Sequence, residues 1–207
     1  MVEEIIESGK FVSNDVMIDD LRQQIILLTG PNMSGKSTYI RQVGILTLMA
    51  QIGCYIPAKS AEIGIVDRIF TRVGLEDDLS EGRSTFMTEM LETAVILKEA
   101  TNKSLIILDE IGRGTSTYDG LAIAMSVAEF IHEDNNVKSR TLFATHFHEM
   151  TSLESDFNRI KNYHVSVIED GQRVVFLHNI KRGISERSYG IYVAELAGMP
   201  TQVIHKS

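Results

Sequence analysis

The sequence predicts an α/β fold with a mainly parallel central sheet flanked by helices and an antiparallel portion near its end. Three observations predict it. Apolar runs at 25–28 and 105–108 carry no polar interruption, the pattern of strands buried on both faces. Each run leads into a glycine-bearing loop and then into a segment with helical spacing, the strand-loop-helix rhythm of a parallel sheet. Beyond residue 159 the pattern changes: residues 159–169 and 172–178 read as alternating apolar and polar, with Asp170 and Gly171 between them, which is a hairpin signal.

The first strand enters the loop GPNMSGKS at 30–37, which fits G-x-x-x-x-G-K-S. Strand before and helix after turn this string into a phosphate-binding P-loop. Gly30 and Gly35 let the backbone wrap a phosphate chain with its N–H groups turned inward. The N-terminus of the next helix adds positive dipole. Lys36 is expected to reach the β- and γ-phosphates, and the Ser37 hydroxyl to hold Mg²⁺.

A chain of 207 residues suffices for one large α/β domain or two small ones. Apolar content of 43% and charged content of 23% are ordinary for a soluble globular protein. The net charge of −8 argues against a general nucleic-acid-coating surface, without excluding DNA contacts made by other domains. The single cysteine, Cys54, rules out an intramolecular disulfide framework, and its apolar setting predicts a buried small hydrophobe. The acidic start does not resemble a secretory signal, and the longest apolar stretch, 43–56, is too short to span a membrane. A cytoplasmic protein with no membrane partner is expected.

Taken in order, residues 16–18 are expected as a short edge strand, and Phe11 precedes them in a polar, turn-like setting. Spacing favours a small local core for Phe11 over a platform for a nucleotide base. A helix is expected from Lys36 to Gly53, apolar on both sides and so well buried. Residues 62–66 and 68–73 read as short strands. After an acidic loop, Ser84 opens a helix running to about Ala100. Ser84 is equally a helix cap or an anion site.

The strand at 105–108 ends in Asp109 and Glu110. In P-loop proteins such a strand end supplies a second Mg²⁺ contact, here Asp109, usually through water. Glu110 is then placed to polarise the water that attacks the γ-phosphate. The glycine- and hydroxyl-rich stretch 111–120 reads as a structured loop, followed by a helix from about Asp119 to His132. Residues 140–145 form another buried strand, ending at His146. His146 either reaches the γ-phosphate and attacking water or packs against a helix cap. His146 and His148 lack further ligands at metal spacing, so zinc is rejected. A short helix from Tyr189 to Ala197 and a final turn complete the chain.

Five stretches together, GPNMSGKST at 30–38, GRSTFMTEM at 82–90, DEIGRGTSTYDG at 109–120, FATH at 143–146, and SYGI with AGMP at 188–200, resemble the C-terminal ATPase domain of the MutS family of DNA mismatch-repair proteins. They occur in family order over nearly the whole chain and resemble the mismatch-repair branch, not its endonuclease-bearing relatives. The resemblance implies an ABC-type ATPase fold as one domain over 1–207, working as a dimer with ATP or ADP at the subunit interface. Gly30, Pro31, Asn32, Met33, Ser34, Gly35, Lys36, Ser37 and Thr38 would bind the phosphates. Ser84 would approach the γ-phosphate held by a second copy. Ser37 and Asp109 would hold Mg²⁺, Glu110 would activate water, and Asn32 and His146 would sense the γ-phosphate or orient the water. Phe11 and His178 resemble the family's adenine-stacking pair, and Arg113 is a candidate for a contribution across the dimer.

The family's mismatch-recognition, connector, lever and clamp domains and its helix-turn-helix are not in this sequence, so a fragment is expected. Mismatched DNA and MutL are implied partners of a full-length protein. The expected function is Mg²⁺-dependent ATP hydrolysis that relays nucleotide state to DNA-clamping domains. Two alternatives are another ABC-type ATPase and a nucleotide-binding dimerisation module with negligible turnover in isolation. A transporter would be expected to carry an LSGGQ-like signature where this chain has EGRST at 81–85.

Overall fold

The computed structural model describes residues 11–32, 34–73, 85–170, 173–185 and 189–206. Within these, β1 (Ile25–Thr29), β2 (Ile69–Arg72), β3 (Leu105–Asp109), β4 (Arg140–Ala144), β5 (Ile160–Asp170) and β6 (Arg173–Arg182) form one sheet in the order β2-β3-β4-β1-β5-β6. The first five strands are parallel to their neighbours, and β6 is antiparallel to β5. The helices are α1 (Lys36–Gln51), α2 (Thr85–Glu99), α3 (Thr117–Glu133), α4 (Leu153–Asp156), α5 (Gly190–Leu196) and α6 (Thr201–Ile204), with a 3₁₀ turn at His148–Ser152. The mixed α/β class, the mostly parallel sheet and the antiparallel pair agree with the sequence pattern. Among the described residues no helix is long and apolar enough to cross a membrane.

The uninterrupted apolar strands are explained by what covers them. Alternate residues of each strand face opposite sides, and both sides are packed. Ile25, Leu27, Ile106, Leu108 and Phe143 join Ile96 of α2 and Ala124, Ala128 and Ile131 of α3 in one core. Ile26, Leu28, Ile107, Leu142 and Ala144 join Tyr39, Ile40 and Val43 of α1 in the other. Gly44 lets α1 approach the sheet closely, since a Cβ there would lie 2.5 Å from Ile107 Cδ1.

Several expectations are corrected. Helix α1 is buried on one side only: Ile45 is 44% exposed and Leu48 is 52% exposed, because the sheet covers a single face. Cys54 is exposed, lying beyond the turn in which Gly53 takes φ +81° and ends the helix. Residues 62–66 are not a strand. At their end the backbone of Val66 is bonded instead to the Gln51 side chain, which donates to Val66 O at 3.0 Å and accepts from Val66 N–H. Residues 16–18 are not a strand either; Asp19 accepts from the N–H groups of Leu21 and Arg22 and turns the chain into β1. Strand β6 runs past His178 to Arg182. Helix α3 starts two residues before the expected Asp119, because Ser116 caps it and accepts from Asp119 N–H at 3.3 Å.

This burial pattern sets a stability contrast. Ile107→Ala should lower the unfolding free energy by about 2–5 kcal/mol and Leu48→Ala by less than about 0.5 kcal/mol. Urea denaturation of the two variants checks this, and equal losses would contradict the assignment of α1's buried face.

Candidate functional site

The parallel strands bring their carboxyl ends to one edge of the sheet. There β1 delivers the glycine-rich loop, β3 delivers Asp109 and Glu110, and β4 delivers His146. Two backbone bonds across the strand ends fix this edge: Glu110 N–H to Ala144 O at 2.9 Å, and Thr145 N–H to Leu28 O at 3.0 Å. Such an edge is where open parallel sheets bind ligands.

The loop closes on its own lysine. Lys36 Nζ donates to Gly30 O at 2.7 Å and to Pro31 O at 2.9 Å, and the residue is 4% exposed. Ser34 Oγ donates to Pro31 O at 2.8 Å. Gly35, at φ +98°, makes the turn into α1 in a backbone conformation that disfavours a side chain. Pro31 is buried, Ser37 is half-buried, and Asn32 and Thr38 are exposed. Burial pushes the Lys36 ammonium down to about pKa 8, against the opposing pull of Glu110 and Asp109.

Asp109 is 4% exposed, and its Oδ1 has no hydrogen-bond partner. Its Oδ2 lies 3.4 Å from Arg41 Nη2 on α1. Glu110, at φ +61°, sits in a left-handed conformation that a non-glycine residue holds only when its surroundings impose it. Its Oε1 is 2.5 Å from His146 Nε2, and its Oε2 accepts from Arg113 Nη1. Burial raises the Glu110 pKa, but the bond from His146 and the charges of His146, Arg113 and Lys36 outweigh it and hold the carboxyl below its ordinary value. A cavity of about 170 Å³ adjoins this group, lined by Glu110, Gly112, Arg113, Thr145, His146 and Phe147.

A bulge brings β6 to the same loop. The register passes from Val167↔Phe176 to Val165↔Ile180, so Leu177, His178 and Asn179 oppose Ser166 alone. His178, at φ +52°, directs Nδ1 to Ser34 O at 2.8 Å, and a carbonyl can only accept, so Nδ1 carries the proton. Asn14 holds the bulge from both sides, donating to His178 O at 2.9 Å and accepting from Ile180 N–H at 2.7 Å. Phe11, half-buried, lies three residues before Asn14.

The edge therefore gathers the loop, Lys36, Asp109, Glu110 and His146, with His178 tied to the loop from the sheet's other end. Met33 and Ser84 lie outside the described residues. Among the described residues no group of three or more His, Cys, Asp or Glu side chains is placed to hold a metal ion. Arg41 and Asn14 were not singled out by sequence. Arg41 carries no signal beyond its place five residues after Lys36, and Asn14 none beyond a turn-like setting.

A family model described as MutS domain V matches residues 26–207. DNA mismatch repair protein MutS of Chloroflexus aurantiacus (strain ATCC 29366 / DSM 635 / J-10-fl) is 57% identical over 200 residues, 97% of this chain and 21% of that protein. The MutS of Roseiflexus sp. (strain RS-1) is 60% identical over 197 residues, 95% of this chain and 18% of that protein. The MutS of Clostridium botulinum (strain Langeland / NCTC 10281 / Type F) is 58% identical over 207 residues, 100% of this chain and 22% of that protein. The chain thus spans about a fifth of the length of the curated relatives it matches.

The lysine carries a pH prediction. Its folded pKa of about 8 lies below the ordinary 10.5, so between these values the unfolded chain binds more protons. Stability attributable to Lys36 therefore rises with pH across that window. The unfolding free energy of the wild type minus that of Lys36→Met should increase by about 1–3 kcal/mol from the bottom to the top of the window. A flat difference would contradict the burial of the charge.

Proposed function

Because this chain belongs to the MutS domain V family, we propose that it binds ATP with Mg²⁺ and hydrolyses it, as an ABC-type P-loop ATPase domain comprising residues 1–207. The observation that carries the proposal is the convergence of a buried lysine, a buried half-unpartnered aspartate and a hydrogen-bonded glutamate–histidine pair on one sheet edge.

On this reading the loop N–H groups and Lys36 bind the phosphates. Lys36 exchanges the carbonyls of Gly30 and Pro31 for phosphate oxygens, which also restores a counter-charge to a desolvated ammonium. Ser37 and Asp109 would hold Mg²⁺; the buried Oδ1 of Asp109 lacks a partner and fits that role. The ion, when bound, neutralises phosphate charge. Water in the neighbouring cavity attacks the γ-phosphorus, the bond to the β–γ bridging oxygen breaks, and the water proton passes to Glu110. A Glu110 with a lowered pKa is a weak base, which suits a loose transition state in which orienting the water matters more than early proton removal. His146 orients Glu110, and Asn32 reaches the γ-phosphate from the loop tip. His178, fixed by Ser34 and Asn14, stacks with Phe11 on the adenine.

Ser84 of a second copy would complete each site. In the long relatives this ATPase would couple nucleotide state to mismatched-DNA recognition and clamp movement, with MutL as a further partner. A binding module with little turnover in isolation is the second reading. It is favoured by one observation: both oxygens of Glu110 are engaged within the chain, by His146 and Arg113.

Glu110→Gln should keep ATP affinity within about threefold and lower the hydrolysis rate by about 10²-fold or more. Lys36→Ala should weaken ATP binding by about tenfold or more. Titration with a fluorescent ATP analogue and a phosphate-release assay read both. Wild-type turnover in the first variant, or wild-type affinity in the second, would remove the proposed roles.

A further inference from the structure

Glu89 is a buried carboxylate with no part in the chemistry above. It lies in the second turn of α2 and is 4% exposed. Its Oε1 accepts from Gly112 N–H at 2.5 Å, and its Oε2 is 3.5 Å from Arg72 Nη2 at the end of β2. Arg72 is 5% exposed; its Nε is 3.1 Å from Glu92, three residues further along α2. A buried charge pair gives little net stability, because desolvation offsets the attraction. Its effect here is geometric.

The backbone that Glu89 holds is closely confined. Gly112 has φ +91°, and a Cβ there would lie 2.5 Å from Gly120 O in the first turn of α3. A Cβ on Gly114 would lie 2.8 Å from Phe86 Cβ in the first turn of α2. Residues 111–116 are therefore gripped between α2 and α3, and Gly112 is the point at which a charged side chain takes hold. Two residues before it stands Glu110, in a left-handed conformation that requires such support.

We infer that Glu89, held by Arg72, is a positioning residue whose carboxylate anchors the Gly112 amide and thereby sets the placement of Glu110, so that the catalytic carboxylate follows the position of α2. Its bearing on hydrolysis rests on the function proposed above. The anchoring itself does not.

Two variants test it. Glu89→Gln keeps an oxygen for the Gly112 amide and loses the charge. The double variant Arg72→Met/Glu89→Leu removes the anchor without leaving an unpaired buried charge, which keeps the fold accessible. In the double variant, exchange of the Gly112 amide should speed up at least about tenfold and the His146 ring resonances should shift, since His146 contacts Glu110 directly. ATP turnover should fall at least about tenfold with ATP affinity within about threefold of wild type. Glu89→Gln should stay within about threefold of wild type in Gly112 exchange, turnover and affinity, with the His146 resonances where the wild type has them. Unchanged Gly112 exchange and His146 resonances in the double variant would overturn the inference, as would affinity falling together with rate. If the wild type itself fails to hydrolyse ATP, the proposed function fails, while the exchange and resonance measurements still decide the anchoring.

Discussion

The Lys36 ammonium is buried where β1 turns into α1, and water is replaced there by two carbonyls of its own loop. Two neutral acceptors do not match the hydration of a cation, so its proton is held loosely. The nearby carboxylates reduce this penalty only in part, because each has a closer cation. Asp109 faces Arg41, and Glu110 faces Arg113. The edge is a set of charges paired among themselves, with one ammonium under-compensated. On the proposed reading, a triphosphate with its divalent cation resolves that imbalance by re-pairing the set.

Backbone geometry at this edge serves the same end. Glu110 and His178 are both non-glycine residues at positive φ, and both carry groups aimed at the loop or its neighbours. Each is held by its surroundings: Glu110 by β4 and by Arg113 of the loop that follows it, and His178 by the distant Ser34 and Asn14. Strain of this kind persists only where packing over-determines it, and here rigid strands supply the packing. The sheet is thus more than a scaffold. Its parallel ends fix the loop, the carboxylates and the histidine relative to one another, and the β6 bulge adds a second histidine from the antiparallel side.

What could be read from the residues alone was local. Asp109, Glu110 and His146 stand at or just past the ends of apolar strands, and Lys36 closes the loop that leaves one, so the strand pattern placed them on one edge. Asn14 and His178 meet across 164 residues, Arg41 and Asp109 across 68, and Glu89 and Gly112 across 23, and no spacing rule links such pairs. The second apolar side of α1 was misread for a related reason. Periodicity shows which positions are apolar but not which side the sheet will cover, and Ile45 and Leu48 stayed exposed. At 62–66 the residues read as a short strand, but strand formation needs a partner edge, and at Val66 a glutamine side chain took the backbone groups instead.

The most direct measurement is the proton balance of ATP binding to this chain with Mg²⁺, by calorimetry at about pH 9 in buffers of different ionisation enthalpy. If phosphate re-pairs the Lys36 ammonium, binding takes up close to one proton per ATP at that pH, and Lys36→Met abolishes both the uptake and most of the affinity. ATP binding with no proton uptake, or binding left intact by Lys36→Met, would contradict the account.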